Sequence, residues 1–158
     1  MKTVLLLVLL LGLVAACGGD DATEAAADPD VFHFDSGGEG HIQGFGAWRV
    51  TASRDGSFQA THVVRGKESV YKEVVLDPTT RAILWATIDT AKLDDVVASE
   101  RAGVPDESQL TLRLERSGKP PLELTLWAND ARAQLGLQPL LQELRIRIFE
   151  TYGVKPVF

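Results

Sequence analysis

The sequence of 158 residues contains a single cysteine, Cys17, so the chain cannot form an internal disulfide bond. Domains that are stabilised by a disulfide framework carry an even set of cysteines, and that class is excluded. Stability must therefore come from a hydrophobic core, and a chain of this length buries enough apolar surface to build one.

Lysine and arginine are absent from residues 18–40, which carry seven acidic residues. Residues 41–158 carry fifteen acidic and fifteen basic residues, so the net charge of −6 comes from the earlier stretch. Neither stretch has the basic patch that nucleic-acid binding requires, and that function class is excluded.

Recognisable catalytic motifs are also absent from the sequence. It contains no HExxH zinc motif, no GxSxG nucleophile elbow and no phosphate-binding loop. No nucleophile stands beside a base at a known spacing. The sequence therefore predicts a non-catalytic protein without a cofactor, with an enzyme of unrecognised class as the alternative.

Two histidines flank a glycine-rich stretch that also carries carboxylates. His33 and His41, together with Asp35 and Glu39, could supply nitrogen and oxygen ligands to a metal ion. Their spacing matches no metal-binding pattern, and a polar loop that contains histidines by chance is the more ordinary interpretation. The sequence therefore predicts no metal site.

A short apolar run stands at the start of the chain. Lys2 supplies one positive charge, and residues 4–16 carry none. A helix that spans a membrane needs about 20 apolar residues, and this run is shorter. A positive start, a short apolar stretch and the small pair Ala15-Ala16 are typical of a secretory signal peptide.

The stretch Val14-Ala15-Ala16-Cys17 resembles the lipobox of bacterial lipoproteins. The resemblance implies that a diacylglyceryl group is attached to the Cys17 thiol and that the chain is cleaved before this residue. The family prefers leucine three residues before the cysteine, where this chain has Val14. The alternative is an ordinary secreted protein with an unpaired cysteine.

The lipobox resemblance places the protein in the cell envelope, with its domain outside the cytoplasm. The lipid bilayer is then the partner of acylated Cys17. In enteric bacteria, aspartate directly after the lipidated cysteine holds a lipoprotein at the inner membrane. Gly18 occupies that position here, so the resemblance favours the outer membrane.

Composition divides the chain into three parts. Residues 1–16 form the signal peptide. Residues 17–30 are small, charged and poor in large apolar side chains, which predicts a disordered acidic tether. Residues 31–158 contain all the patterned apolar residues and are predicted to form a single globular domain.

Alternation of apolar and polar residues predicts strands in this domain. The tight turn Asp55-Gly56 joins two of them. The segment 94–108 is predicted to be a loop with one helical turn. Asn129 or Asp130 is predicted to cap a short helical turn after the strand 122–127. The predicted strands cover residues 31–35, 47–54, 57–64, 69–76, 109–118 and 122–127.

Two helices are predicted, each beginning at a proline. Asp77-Pro78 and Gln138-Pro139 place a polar residue before a proline in the first turn, and the second helix ends at Gly153. Each helix follows a hairpin. The sequence therefore predicts an α+β domain whose antiparallel sheet is built from two hairpin-plus-helix units, with the helices packed on one face. The predicted buried positions are Ile83, Leu84, Ile88 and Ala91, with Trp85 at their edge, and Leu141, Leu144, Ile148 and Tyr152.

The glycine-rich loop 36–46 is the best candidate for a binding surface. It carries Phe45, and Trp48 follows two residues into the next strand. Mobile backbone with aromatic anchors is common in recognition loops, so Phe45 and Trp48 are the candidate binding residues. The alternative is that the loop only crosses an end of the sheet, with Phe45 in the core.

The order hairpin, helix, hairpin, helix over residues 34–150 resembles emfourin, a small bacterial inhibitor of thermolysin-like metalloproteases. The only motif-like part of the resemblance is Ser-Gly-Gly at residues 36–38. It implies protease inhibition as an alternative to binding another envelope protein.

Overall fold

The computed structural model describes residues 29–38 and 45–158. The predictions for the signal peptide, for the lipidation of Cys17 and for most of the tether lie outside these residues. The same holds for the middle of the glycine-rich loop.

Seven strands form one antiparallel sheet, in the order β4-β3-β2-β1-β6-β7, with β5 also paired to β3. The sheet and its helices confirm the predicted α+β class. The strands are β1 (Val31–Asp35), β2 (Ala47–Ser53), β3 (Ser57–Val64), β4 (Lys67–Val70), β5 (Val74–Val75), β6 (Gln109–Glu115) and β7 (Leu122–Trp127).

The short strand β1 lies at the centre of the sheet and joins its two halves. Phe34 is opposite Val50 of β2 on one side and Leu112 of β6 on the other. These three side chains are buried on the face that carries the helices. The two predicted hairpin-plus-helix units are therefore joined in one sheet by β1, a strand that belongs to neither hairpin.

The predicted strand 69–76 is wrong as one continuous element. Thr61 pairs with Val70 and Phe58 pairs with Val74, so three residues face two on β3. One extra residue of this kind is a β-bulge, which bends a strand and changes the direction of a side chain. Here the bulge begins at Tyr71, whose ring packs against the core.

The first long helix, α1 (Pro78–Thr90), begins where the sequence predicts. The Asp77 carboxylate accepts hydrogen bonds from the backbone N–H groups of Thr79 and Thr80 at 3.0 and 3.1 Å. These bonds satisfy donors that have no partner inside the helix.

The buried side of α1 differs from the prediction at two positions. Ile83 is 48% exposed, whereas Trp85 is buried. The Trp85 indole N–H donates to the Ser53 carbonyl oxygen at 3.1 Å, and the Arg54 guanidinium lies 4.3 Å from the ring centre. Helix α1 buries Trp85 in place of Ile83 because the larger side chain fills more of the core and its indole N–H has an acceptor there.

The second long helix, α3 (Gln138–Tyr152), ends at Gly153 as predicted, with the positive φ of 69° that favours glycine there. Its start differs from the prediction. Gln138 does not cap the helix, and its amide instead donates to the Arg132 carbonyl oxygen at 2.6 Å. The buried apolar residues of α3 are Leu140, Leu141, Leu144 and Ile148.

The sheet face opposite the helices is polar, as the alternation predicts. Arg49 on β2 pairs with Asp35 at 2.9 Å and with Glu68 at 2.8 Å. Arg113 pairs with Glu115 at 2.9 Å. Exposed ion pairs of this kind contribute only about 0–1 kcal/mol each, so the core beneath the helices dominates the stability.

The two ends of the sheet carry different features. Asp30 precedes β1, and its carboxylate accepts hydrogen bonds from Arg54 Nε at 3.0 Å and from the Ser117 N–H at 3.1 Å. Arg54 and Ser117 begin the turns after β2 and β6. We call this end, marked by Asp30 and these two turns, the tether end. The opposite end, where β1 stops before Ser36, is the far end.

Candidate functional site

A cleft of about 260 Å³ opens at the far end of the sheet. One side is formed by residues 36–37 and 45–46, which belong to the two described ends of the predicted binding loop. Residues 104–108, which lead into β6, form the other side. The short helix α2 (Ala128–Ala133) and the last two residues of the sequence complete the lining.

The cleft has a mixed lining, in which apolar side chains lie beside polar and charged ones. Leu110 and Ala128 in the floor are buried core residues. Around the opening stand Phe45, Val104 and Val157, which are 44%, 54% and 48% exposed. Exposed large apolar side chains that gather around one opening are typical of an interaction site.

The two ends of the binding loop are held firmly to the sheet. The Phe45 carbonyl oxygen accepts a hydrogen bond from His62 Nε2 at 2.8 Å. Gly46 follows with a φ of 71°, and a Cβ there would lie 2.3 Å from the Val63 carbonyl oxygen, so only glycine fits. At the other end, Ser36 Oγ accepts from the Trp48 N–H at 2.7 Å.

The two aromatic residues predicted to bind a partner occupy different environments. Phe45 is at the rim and is not part of the core. Trp48 is 1% exposed, and its ring stacks on His62 and Tyr71 with centre-to-centre distances of 4.4 and 5.8 Å. Trp48 therefore supports the strand from inside and offers no surface to a partner.

The wall formed by residues 104–108 is braced by a paired glutamate. Arg101 Nη1 and Nη2 donate to the two carboxylate oxygens of Glu107 at 2.8 and 2.6 Å. Glu107 also accepts from the backbone N–H groups of Val104 at 3.2 Å and Asn129 at 3.0 Å. Its side chain is only 2% exposed, so these four bonds replace water around a buried charge.

A second carboxylate extends this brace to α2. Asp130 accepts from Arg101 Nε at 2.9 Å and from the Ser99 hydroxyl. Ser99 Oγ in turn accepts from the Trp127 N–H at 2.9 Å, and the Trp127 indole N–H donates to the Arg101 carbonyl oxygen at 2.9 Å. We call Ser99, Arg101, Glu107 and Asp130 the arginine brace.

Gly103 allows the braced segment to lie flat on the Trp127 ring. A Cβ at this position would lie 2.5 Å from the ring, closer than real side chains approach. Glycine is therefore required by close packing here, at a position whose backbone is otherwise ordinary.

The arginine brace shifts the pKa of each ionisable member toward its charged form. The Arg101 guanidinium, helped by two backbone N–H groups, lowers the pKa of Glu107 to about 2. Hydrogen bonds from Ser99 and Arg101 lower the pKa of Asp130, and the two carboxylates raise the pKa of Arg101. At neutral pH the brace holds two negative charges and one positive charge.

Chemically, the brace can hold a wall in place but is unsuited to proton transfer. A general base works best when its pKa lies near the operating pH, and that of Glu107 is far below it. Its oxygens are also fully engaged by neighbours. The remaining charged groups of the lining are Asp106, which is exposed with a φ of 65°, and Arg132, which donates to Asn129 Oδ1 at 3.3 Å.

Sequence reasoning missed the arginine brace. A helical turn at Leu93–Asp95 lies close to the one predicted in the segment 94–108, but no local pattern assigns roles to the charged residues of this segment. The predicted capping role of Asn129 or Asp130 is wrong, because α2 has no side-chain cap from either. A signal was present: opposite charges at Arg101 and Glu107 enclose a turn that contains glycine and proline.

The described candidates for metal binding are already paired on the polar face of the sheet. His33 Nε2 lies 3.5 Å from Glu115 Oε1, and Asp35 is bound to Arg49. The other two, Glu39 and His41, lie outside the described residues. Within residues 29–38 and 45–158, no group of three or more potential ligands comes together.

No protein-family model matches this chain, and no curated protein matches its sequence. In the part of the chain that the structure describes, no helix has the length and apolar character needed to cross a bilayer. The functional argument therefore depends on the geometry of the cleft and on the sequence around Cys17.

Proposed function

We propose that this chain is a bacterial envelope lipoprotein, anchored through acylated Cys17, whose domain is a non-catalytic binding module. The observation that carries the binding role is the cleft at the far end, with exposed apolar side chains at its opening and a braced wall. Preorganised walls reduce the ordering that binding would otherwise require. The cleft is therefore suited to recognition.

The cleft fits an apolar side chain of a partner protein together with its adjoining backbone. Its volume of about 260 Å³ lies below the range of roughly 300–1,000 Å³ that is common for sites of drug-sized ligands. Asp106 and Arg132 give the lining one exposed charge of each sign. This balance favours neutral or dipolar groups such as backbone amides over a strongly charged ligand.

Capture of a partner from envelope extracts tests the binding role of the rim. Phe45→Ser removes one rim side chain, and Phe149→Ser is a matched control because Phe149 is similarly exposed and lies outside the cleft lining. We expect Phe45→Ser to weaken capture by about tenfold or more, because truncation of an aromatic residue that anchors an interface costs more than about 1 kcal/mol. Equal capture by both variants would show that the rim is not part of the binding surface.

Metabolic labelling with a palmitate analogue tests the anchor. We expect the parent protein to take up label and to partition with membranes, and Cys17→Ser to do neither. Label on Cys17→Ser at the parent level would show that the lipobox interpretation is wrong.

A second candidate function, inhibition of a protease, is favoured by the shape of residues 101–107. Ala102, Val104, Pro105 and Asp106 are exposed, and the bidentate pair of Arg101 with Glu107 closes the segment. A rigid, exposed segment is suited to enter a concave active site. It agrees in kind with what the emfourin resemblance implies.

An activity assay with a thermolysin-like metalloprotease tests this second candidate. Inhibition by the parent protein that is weakened by Arg101→Ala would support it. The proposal of inhibition fails if the parent protein is cleaved within residues 101–107 as a substrate and leaves the protease fully active.

A further inference from the structure

We propose that β1 is a mechanical clamp, which keeps the domain folded under tension between its attached end and a partner bound in the cleft. This inference rests on the proposed function, because it takes an anchor at one end of the chain and binding at the far end. It goes beyond that function by assigning a load-bearing role to one strand.

The described chain enters the sheet at the tether end, directly before β1. The Asp30 carboxylate accepts hydrogen bonds from Arg54 Nε at 3.0 Å and from the Ser117 N–H at 3.1 Å. The Asp30 carbonyl oxygen accepts from the Arg54 N–H at 2.8 Å. Tension on the preceding chain is therefore applied to β1 at its first residue.

The two walls of the cleft belong to segments that lead into the neighbours of β1. Residues 45–46 precede β2 in one wall, and residues 104–108 precede β6 in the other. Both strands are antiparallel to β1, so both begin at the far end, where β1 stops. A pull on either wall is therefore applied to a strand that flanks β1, in the direction opposite to the pull on β1.

These points of loading place both ladders of β1 in shear. Each of its five residues is paired with β2 on one side and with β6 on the other. Hydrogen bonds between antiparallel strands lie perpendicular to the strands, so a pull along the strands strains all of them together. A pull across the strands at one end breaks them one after another. Rupture in shear therefore needs the larger force.

The side chains of β1 oppose sliding of the strand. Phe32 and Phe34 are buried in the core, whereas His33 and Asp35 form ion pairs on the polar face. A slip by one residue exchanges the two faces of a strand, so it would carry His33 and Asp35 into the core. Burial of an unpaired charge is costly. The strand therefore cannot slide along its ladders in single-residue steps.

Further contacts close the ladder between β1 and β2 at both ends. At the far end, the Ser36 N–H donates to the Trp48 carbonyl oxygen at 2.9 Å, and Ser36 Oγ accepts from the Trp48 N–H at 2.7 Å. At the tether end, the Arg54 guanidinium that holds Asp30 also donates to the Asp89 carboxylate of α1 at 3.0 Å. Tension on Asp30 is therefore shared by the sheet and by a helix.

Unfolding of the chain from Cys17 onward in optical tweezers tests the clamp. Cys17 is the single cysteine, so its thiol, without a lipid, attaches one handle at the proposed anchor. A second cysteine attaches the other handle beside one end of β6. Val104→Cys places this handle at the far end, and Lys119→Cys places it at the tether end; both positions are exposed.

We expect the handles at 17 and 104 to unfold the domain at a several-fold higher force than the handles at 17 and 119. The first pair loads β1 and β6 in shear. The second pair separates the two strands from the end at which Asp30 contacts Ser117. Because forced unfolding follows the unfolding rate, both pairs are pulled at the same loading rate.

Phe45→Cys supplies an independent handle at the far end, in the wall before β2. It should also give the high force. It takes the place of Val104→Cys if urea unfolding shows that Val104→Cys is less stable than Lys119→Cys, so that the compared variants differ only in the direction of load.

An equal or lower force with the far-end handle overturns the clamp, because resistance to unfolding would then not depend on the direction of load. These forces are measured without acylation, so failure of the clamp is distinct from failure of the anchor. Palmitate labelling of Cys17 reports on the anchor separately. A high force at the far end in a chain that takes up no label would support the clamp and refute the anchor.

Discussion

At the scale of single residues, the most informative side chain is Glu107. Burial of a carboxylate usually raises its pKa, because the charged form loses water. Here the Arg101 guanidinium and two backbone N–H groups outweigh burial, and the pKa falls to about 2. Glu107 is therefore a structural anion, and its charge is part of what holds the wall of the cleft.

The lowered pKa of Glu107 predicts a pH-dependent contribution to stability. The pKa is lower in the folded chain than the ordinary 4.5, so the charged carboxylate stabilises the fold above about pH 4.5. This contribution is lost as the pH falls from about 4.5 through 2 and Glu107 is protonated. Glu107→Gln should therefore be less stable than the parent at neutral pH, with a difference that shrinks in acid.

Urea unfolding of both proteins at a series of pH values measures this difference. Asp94→Asn is a control, because Asp94 is an exposed carboxylate outside the brace. A stability difference for Glu107→Gln that stays constant from neutral pH down to about pH 2 would contradict the role assigned to the charge.

The two candidate aromatic residues predict opposite outcomes when each is shortened. Trp48→Ala should lower the free energy of unfolding by about 3–5 kcal/mol, because it leaves a cavity in the core. Phe45→Ala should lower it by less than about 1 kcal/mol, since the side chain is at the surface. Thermal unfolding compares the two variants. A large loss of stability in Phe45→Ala would show that Phe45 packs in the core.

At the scale of elements, the cap of α1 gives a direct test. Asp77→Ala removes the acceptor for the N–H groups of Thr79 and Thr80 and should cost about 1 kcal/mol. Asp77→Asn keeps a capping oxygen and should retain most of the stability. Equal losses in the two variants, measured by urea unfolding, would show that the cap contributes through its charge alone.

Elements with regular periodicity could be predicted from the sequence. The alternation in β2, β3, β6 and β7 reports one buried and one exposed face, and the helix starting at Asp77-Pro78 has a cap that acts locally. These patterns depend on neighbouring residues only, so the elements that they predict are present in the structure.

Features that depend on distant residues could not be predicted in the same way. The bulge at Tyr71 interrupts an alternating stretch because of its pairing with β3. The burial of Trp85 in place of Ile83 depends on a carbonyl oxygen at Ser53, 32 residues away. The arginine brace joins Arg101 to Asp130, and no local sequence pattern predicts that pair.

The candidate site was predicted in part. The composition of the glycine-rich loop predicts a binding surface, and residues 36–37 and 45–46 of that loop line the cleft. The opposite wall was not predicted, because residues 104–108 have no periodicity. Trp48 is only three residues from Phe45 in the sequence, but it belongs to β2 and is buried, whereas Phe45 lies before the strand and is exposed.

At the scale of the whole molecule, the core lies within the described domain. Among residues 29–38 and 45–158, the buried apolar side chains begin at Phe32 and include residues of both long helices. A chain that begins at Pro29 keeps Asp30 and its bonds to Arg54 and Ser117, and should unfold in one cooperative transition.

Calorimetry and far-ultraviolet circular dichroism measure that transition. Asp30→Ala in the same chain should lower the free energy of unfolding by about 1–2 kcal/mol, because the Ser117 N–H and the Arg54 guanidinium lose an acceptor. A non-cooperative transition in the chain that begins at Pro29 would place part of the core before residue 29.

The central position of β1 also has a consequence for how the chain reaches its folded state. Val31 pairs with Ser53 and with Glu115, so the second partner of the strand comes more than 80 residues later in synthesis. Until β6 has paired with it, during synthesis or during refolding, β1 is an open edge that can pair with β6 of another copy as well as with its own. Refolding at high protein concentration should therefore yield exchanged dimers in which every strand pair of the monomer is kept but the sheet passes from one chain into the other.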